Sequence, residues 1–335
     1  GTSVLAASDS ETDVGIRVEQ GGQLQVTGGA IQNHHGPGVV VVDGYANVDG
    51  GTVVSQNEGG GLLVEAAGHL VIGNAQVAGN WNVGIEVKGG LLEASYTSVT
   101  DTQKVVGGDG VGIAIADCAG PVFLQELVVD SNGGDGVKIE NCTADLAGDG
   151  HCGGNQGRGV RSLNGAVLQL VDWNVSDNEL QNVEVKGASG EVTGCTLTGA
   201  KNTVLGEGVR FEECTGICLV SASTITGNKA TGVRVHTATA TITGNPSISN
   251  NGDNGIHADA GSVVTITTNT VVGNEGTGVL LETSAGSVSF NEVSSTSAGN
   301  ALAGDGISLL DCAGTSVVKE NDLDDNERYG VLVGA

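Results

Sequence analysis

Apolar residues alternate with variable ones in a short unit that returns about every 23 residues, and a glycine opens each unit. These marker glycines are Gly15, Gly38, Gly61, Gly84, Gly112, Gly136, Gly159, Gly208, Gly232, Gly255, Gly278, Gly306 and Gly330, with Asn182 in the one slot that lacks glycine. The residue after each marker is Ile, Val or Leu. The third residue is large and apolar in every unit but two, where Ser162 and Ala258 stand. The second and fourth positions are free to be charged. Alternation of period two predicts a short strand with one buried face. Its β-branched content suits a pleated surface.

Two further apolar clusters follow in each unit. Leu24 and Val26, Leu70 and Ile72, and Val264 and Ile266 belong to the first; Ile31, Val77, Val175, Ile248 and Val271 belong to the second. Three strands joined at corners predict a three-sided coil. Corners such as Ile72-Gly73-Asn74 and Thr243-Gly244-Asn245 hold residues that tolerate left-handed backbone. A fixed period of this length marks a solenoid, in which each repeat buries its apolar face against its neighbours.

Four residues before the marker stand Asn57, Asn80, Asn132, Asn155, Asn178, Asn228, Asn251, Asn274 and Asn326. At a rung spacing of about 4.8 Å, stacked amides can hydrogen-bond up and down the column. The column reads as an internal ladder, a structural device.

This Gly-Val/Ile-x-Val unit with Asn at the turn resembles the right-handed parallel β-helix repeat of the pectate-lyase-like superfamily, over essentially the whole chain. The resemblance implies an all-β, right-handed, single-stranded parallel β-helix of about 14 rungs. Right-handedness also agrees with the general hand of parallel crossovers. Activity does not follow, because that superfamily holds lyases, hydrolases, epimerases, tailspikes, adhesins and inert scaffolds. Its lyases use acidic calcium ligands with an Arg or Lys base, and its hydrolases use grouped Asp residues. Neither set is matched here.

A larger period lies over the small one. The phrases around Cys118, Cys214 and Cys312 are related, and each follows a stretched spacing at residues 95–110, 196–206 and 294–304. Four rungs thus make a super-repeat of about 97 residues, and residues 1–335 read as one continuous domain. The chain opens without Met and closes just after a marker strand, without a capping helix. It is expected to be a segment of a longer protein, or to have its ends covered by other copies.

Charge narrows the partners. Thirteen basic residues face 39 acidic ones, for a net −26, which repels nucleic acid and anionic lipid. No apolar run approaches a membrane span, so direct membrane insertion is not expected. Seven cysteines point to an oxidising compartment. Cys142 and Cys152, which bracket a Gly/Asp-rich insertion, are the leading disulfide candidates. Cys118 with Cys142 is an alternative, and Cys214 and Cys218 lie four apart.

Candidate chemistry sits on the outward positions of the marker strand. Arg161, Arg210, Arg234, His236, His257 and Asp259 form a patch there, in a chain with few cations. Arg161, Arg210, Arg234 and His257 could bind a linear polyanion such as a uronate glycan. His236, His257, Asp259 and Arg234 are the nearest approach to an acid–base group. The plainer reading is a surface charge ladder, with Arg210 beside Glu212, Lys138 beside Glu140 and Lys186 one rung from Glu212. Asp322, Asp324, Asp325 and Glu327 could hold calcium; no other cofactor is expected. Asp-Gly corners such as Asp135 and Asp305 read as turn chemistry. Trp81, Trp173, Tyr45, Tyr96 and Tyr329 share no column, which argues against an aromatic-lined glycan groove.

The expectation is a secreted or cell-surface, non-catalytic module: a spacer, adhesin or assembly unit. Its partners would be polysaccharide, other surface proteins or further copies of itself. The alternative is a polysaccharide-acting lyase, hydrolase or epimerase, or a glycan-binding protein.

Overall fold

The computed structural model describes residues 3–5, 13–297, 304–312 and 314–334. It is all-β, a parallel β-solenoid of about 14 turns with three strands to a rung. The chain divides into two compact units, residues 1–169 and 170–335.

In each unit the marker strands stack in exact-register parallel pairs. Ile16, Val39, Leu62, Ile85, Ile113, Val137 and Val160 are successive partners in the first unit. Val183, Val209, Val233, Ile256, Val279, Ile307 and Val331 are successive partners in the second. Most of these side chains are fully buried. The second and third clusters line the other two sheets: Leu70, Ile72, Val264 and Ile266 face inward on one, and Ile31, Val77, Val175, Ile248 and Val271 on the other.

The corners are turned by left-handed backbone, at one residue or at two in succession, as at Gly50 and Gly51. Asn74 and Gly244 adopt it as the corner sequences predict, with φ of 44° and 62°. Asn245 does not. It is buried and starts a second amide column, in which Asn245 Nδ2 donates to Asn269 Oδ1 at 2.8 Å and Asn269 Nδ2 to Asn291 Oδ1 at 2.9 Å.

The first amide column is present in both units. Asn57 Nδ2 donates to Asn80 Oδ1 at 2.9 Å and Asn132 Nδ2 to Asn155 Oδ1 at 3.0 Å. Asn228, Asn251 and Asn274 continue it in the second unit. The marker position is glycine because this column crowds it. A Cβ on Gly232 would sit 2.6 Å from the Gly255 carbonyl oxygen and 2.8 Å from Asn251 Nδ2.

Two of the stretched spacings begin later than expected, because Ser98–Thr100 and Thr196–Thr198 are ordinary third strands. The third spacing lies partly outside the described residues.

The cysteines correct one expectation. Cys142 is bonded to Cys118, one rung away, with Cα atoms 5.4 Å apart, and not to Cys152. Cys152 faces the core of the third sheet beside Val129, where its thiol donates to the Gly159 carbonyl at 3.2 Å. Ten residues carry the chain past a whole strand, so nearness in sequence misled. Cys214 and Cys218 form the second disulfide. Cys152, Cys195 and Cys312 remain thiols. Burial pushes the Cys152 thiol far above its ordinary range and Cys195 up to about 11.

Candidate functional site

The outward columns of the second unit's marker sheet hold the densest chemistry. Register places Glu184, Arg210, Arg234 and His257 in one column and Lys186, Glu212, His236 and Asp259 in the next. Each strand positions its pair rigidly, because the one residue between them, Val185, Phe211, Val235 or Ala258, points into the dry core.

The side chains join into one chain of alternating charge. Lys186 Nζ lies 2.6 Å from Glu212 Oε1, and Arg210 Nη2 lies 2.7 Å from Glu212 Oε2. Arg210 Nη1 turns back to Glu207 Oε1 at 3.1 Å, and Arg234 Nη1 approaches the same oxygen at 4.0 Å. Arg234 Nη2 donates to Asp259 Oδ2 at 2.7 Å, and His236 Nδ1 meets Asp259 Oδ1 at 2.6 Å. A carboxylate only accepts, so His236 Nδ1 carries the proton and Nε2 is left to exchange one. His257 stands apart, with Nε2 3.4 Å from Glu282 Oε2.

Electrostatics follows burial. Glu207 is only 1% exposed, and desolvation raises its pKa despite Arg210 and Arg234. The Gln181 carboxamide lies close enough to oppose that rise, yet closes no hydrogen bond of good geometry. Burial also pushes Glu212 and Asp259 upward, but is outweighed. Lys186 and Arg210 hold Glu212 below the ordinary carboxylate range, and His236 and Arg234 do the same for Asp259. Desolvation lowers the pKa of His257, with Asp259 opposing it.

Four of the expected site residues therefore meet: Arg210, Arg234, His236 and Asp259. Arg161 lies in the first unit, with Nη1 3.7 Å from Asp135 Oδ2. The charge-ladder pairs exist as ion pairs, Lys138 with Glu140 at 3.3 Å among them. The calcium candidates do not converge: Asp322 and Asp324 lie on one exposed strand, and the backbone N–H of Asp325 caps Asp324 Oδ1 at 3.0 Å. Among the described residues no group of three or more His, Cys, Asp or Glu is placed to hold a metal ion.

Glu207 is the residue that sequence reasoning missed. It occupies the position just before a marker glycine, as do buried Asp135 and Asp305. These two do more than turn a corner. Asp135 Oδ1 accepts the Arg158 backbone N–H at 2.8 Å, and Asp305 Oδ2 accepts the Ser308 hydroxyl at 2.6 Å. An acidic residue before the marker glycine, with an arginine at the second position after it, was the available signal for Glu207.

Chemically, the arrangement offers one oriented imidazole, His236. It offers no cation clear of a carboxylate, since Arg210 and Arg234 both close on acidic partners. The groups that burial tunes most, Glu207 and His257, are largely withdrawn from solvent.

A family model described as "Right handed beta helix region" matches residues 14–180 and 181–335. Outer membrane protein A of Rickettsia rickettsii is 27% identical over 257 residues, covering 73% of this chain. The chain spans only 11% of that relative's length. Among solved structures, the periplasmic alginate epimerase AlgG superposes with a TM-score of 0.56 at 12% identity, covering 92% of this chain and 84% of that one. That likeness is one of fold.

Proposed function

The chain belongs to the right-handed β-helix family, and on that premise we propose that it is a non-catalytic module of the cell surface or the secreted space, serving as a spacer, adhesin or assembly unit. The closed ion chain from Lys186 to His236 carries this reading. Its arginines face Glu207, Glu212 and Asp259, so the strip is neutralised from within and holds neighbouring rungs together. The similarity to an outer membrane protein supports a cell-envelope or secreted location.

One observation favours the second reading, a polysaccharide-acting enzyme. His236 is oriented by Asp259, which is itself held by Arg234, as a general base would be. The test is to incubate the chain with alginate, polygalacturonate and neutral polysaccharides, with and without calcium. Unsaturated uronate, new reducing ends and epimer ratio are followed. The module reading expects no turnover. Turnover that disappears in Arg234→Ala or His236→Ala overturns it.

A further inference from the structure

In the second unit the outward face of the second sheet carries no charge over four successive strands, Cys218–Ser221, Thr239–Thr243, Val263–Thr267 and Ala285–Ser289. Residues 215–228, 237–252, 260–274 and 283–291 hold no Asp, Glu, Lys, Arg or His, in a chain of net −26. The same sheet in the first unit is charged, with His69, Glu93 and Asp145 at outward positions. Register aligns Thr239 with Val263, Thr241 with Thr265 and Thr243 with Thr267, and sets Leu219 and Ser287 on either side of the middle pair.

Apolar side chains gather on this face and its rim: Ile217, Val263, Phe290 and Val317 are between 43% and 63% exposed. Exposed apolar residues that cluster, instead of scattering singly, mark an interaction surface. Ile217 lies between the bonded Cys214 and Cys218, next to a hollow of about 500 Å³ lined in part by Gly216, Thr239 and Thr241. Opposite charges bracket the face. The next strand on one side carries Glu191, in register with Leu219, and the next on the other side carries Lys319, in register with Ser289. Neither closes an ion pair among the described residues. Lys319 Nζ lies 5.7 Å from the centre of the Phe290 ring.

Such a face suits a second copy of this chain. A hydroxyl both donates and accepts, so a Ser/Thr face satisfies its own copy; carboxylates only accept, so an acidic face does not. Like acidic surfaces also repel, and this face brings none together. A twofold pair needs a patch that complements itself. With the axis along the strands, midway between Thr239–Thr243 and Val263–Thr267, the two coils lie antiparallel. Thr241 then faces Thr265 of the second copy, and Thr243 faces Thr267. Val263 faces Thr239 and its hollow, and Ile217 faces small Ala285. Glu191 faces the strand of Lys319, whose row lies about 7 Å further along, within reach of a lysine side chain. We propose that this face pairs two copies side by side and antiparallel, with Glu191–Lys319 contacts at both ends setting the direction. Six strands give a footprint of about 24 Å by 17 Å, about 400 Å² a side. That is about half the usual interface, so the pair is weak and depends on local concentration. Pairing is one form of the assembly role proposed above. Its failure would leave the spacer and adhesin forms, and the expected lack of turnover, in place.

The test is sedimentation equilibrium of the whole chain from micromolar to millimolar concentration, where a reversible monomer–dimer equilibrium is expected. Thr265→Asp, at an exposed strand position, sets carboxylates beside the axis. It is expected to weaken the dimer at least tenfold with the circular dichroism spectrum unchanged. Glu191→Lys and Lys319→Glu are each expected to weaken it, and the double variant to recover most of the loss. These charge reversals stand in if Thr265→Asp misfolds. A chain that stays monomeric throughout overturns the pairing, as does a dimer indifferent to a folded Thr265→Asp. Single reversals without effect, or a double variant without recovery, overturn the antiparallel arrangement. A monomer that binds a neutral polysaccharide, and loses it in Thr265→Asp, would give the face to that partner instead.

Discussion

Asn182 Nδ2 donates to Asn228 Oδ1 at 2.9 Å, across 46 residues of sequence. Its own Oδ1 accepts Asn178 Nδ2 at 3.0 Å. This relationship explains the single break in the marker-glycine series. The rung between them puts Ala200 at the ladder seat, where its backbone N–H donates to Asn228 Oδ1 at 3.1 Å but its methyl offers no amide. The side chain of Asn182 fills the gap from the marker position. The residue that breaks one repeat thus completes another.

Asn182→Gly restores the repeat yet is expected to destabilise the protein, by about 1–3 kcal/mol, because it removes the two buried hydrogen bonds that Asn182 makes with Asn178 and Asn228. Adding Ala200→Asn is expected to recover most of the loss. Urea unfolding of both single variants and the double variant gives the coupling. Additive losses would show that Asn182 has no part in the ladder.

Gly232→Ala is expected to cost about 1–3 kcal/mol or more, through overpacking alone. The added Cβ would meet the Gly255 carbonyl oxygen at 2.6 Å and Ile248 Cγ2 at 2.8 Å. The Gly232 backbone is not left-handed, so the effect isolates close approach from φ. A Tm unchanged from wild type would contradict the stacking described.

Glu207 and Asp259 are expected to give opposite pH dependences. Burial raises the folded pKa of Glu207, so the native state holds its proton longer than the unfolded chain. Its contribution to stability then falls as pH rises above the unfolded value of about 4.3. Asp259 is depressed in the fold by His236 and Arg234, which outweigh burial. Its contribution is present above the unfolded value of about 3.9 and is lost as pH falls through the folded pKa. Denaturant unfolding between acid and neutral pH should show Glu207→Gln gaining on wild type as pH rises, and Asp259→Asn losing ground. Slopes of the same sign would refute the assignment.

Peptide mapping without reduction should recover Cys118 joined to Cys142 and Cys214 joined to Cys218. The native protein should resist thiol reagents at Cys152 and Cys195, which are buried and whose pKa values are raised. A Cys142–Cys152 peptide would restore the pairing that the insertion suggested.

The periodic part of this protein was legible in its sequence. Val137 beside Val160 and Val233 beside Ile256 followed from counting, because in a solenoid each inward side chain meets only the equivalent residue one rung away. The same counting placed Arg234, His236, His257 and Asp259 on adjacent outward positions. Counting failed at the corners. Glu207 precedes the strand, and its direction depends on the path of the turn, as does its access to arginines on two successive rungs. Cys142 and Cys152 are near in sequence but stand on different sides of the coil.

The alternating pattern by itself determined three sides, one register and a dry interior, since burying each apolar column leaves a single way to stack identical rungs. Tertiary structure alone decided how Asn182 repairs the ladder, which cysteines meet, and that Glu207 sits buried between two arginines. Those outcomes depend on where side chains point at turns and on reach across rungs, and a one-dimensional repeat encodes neither.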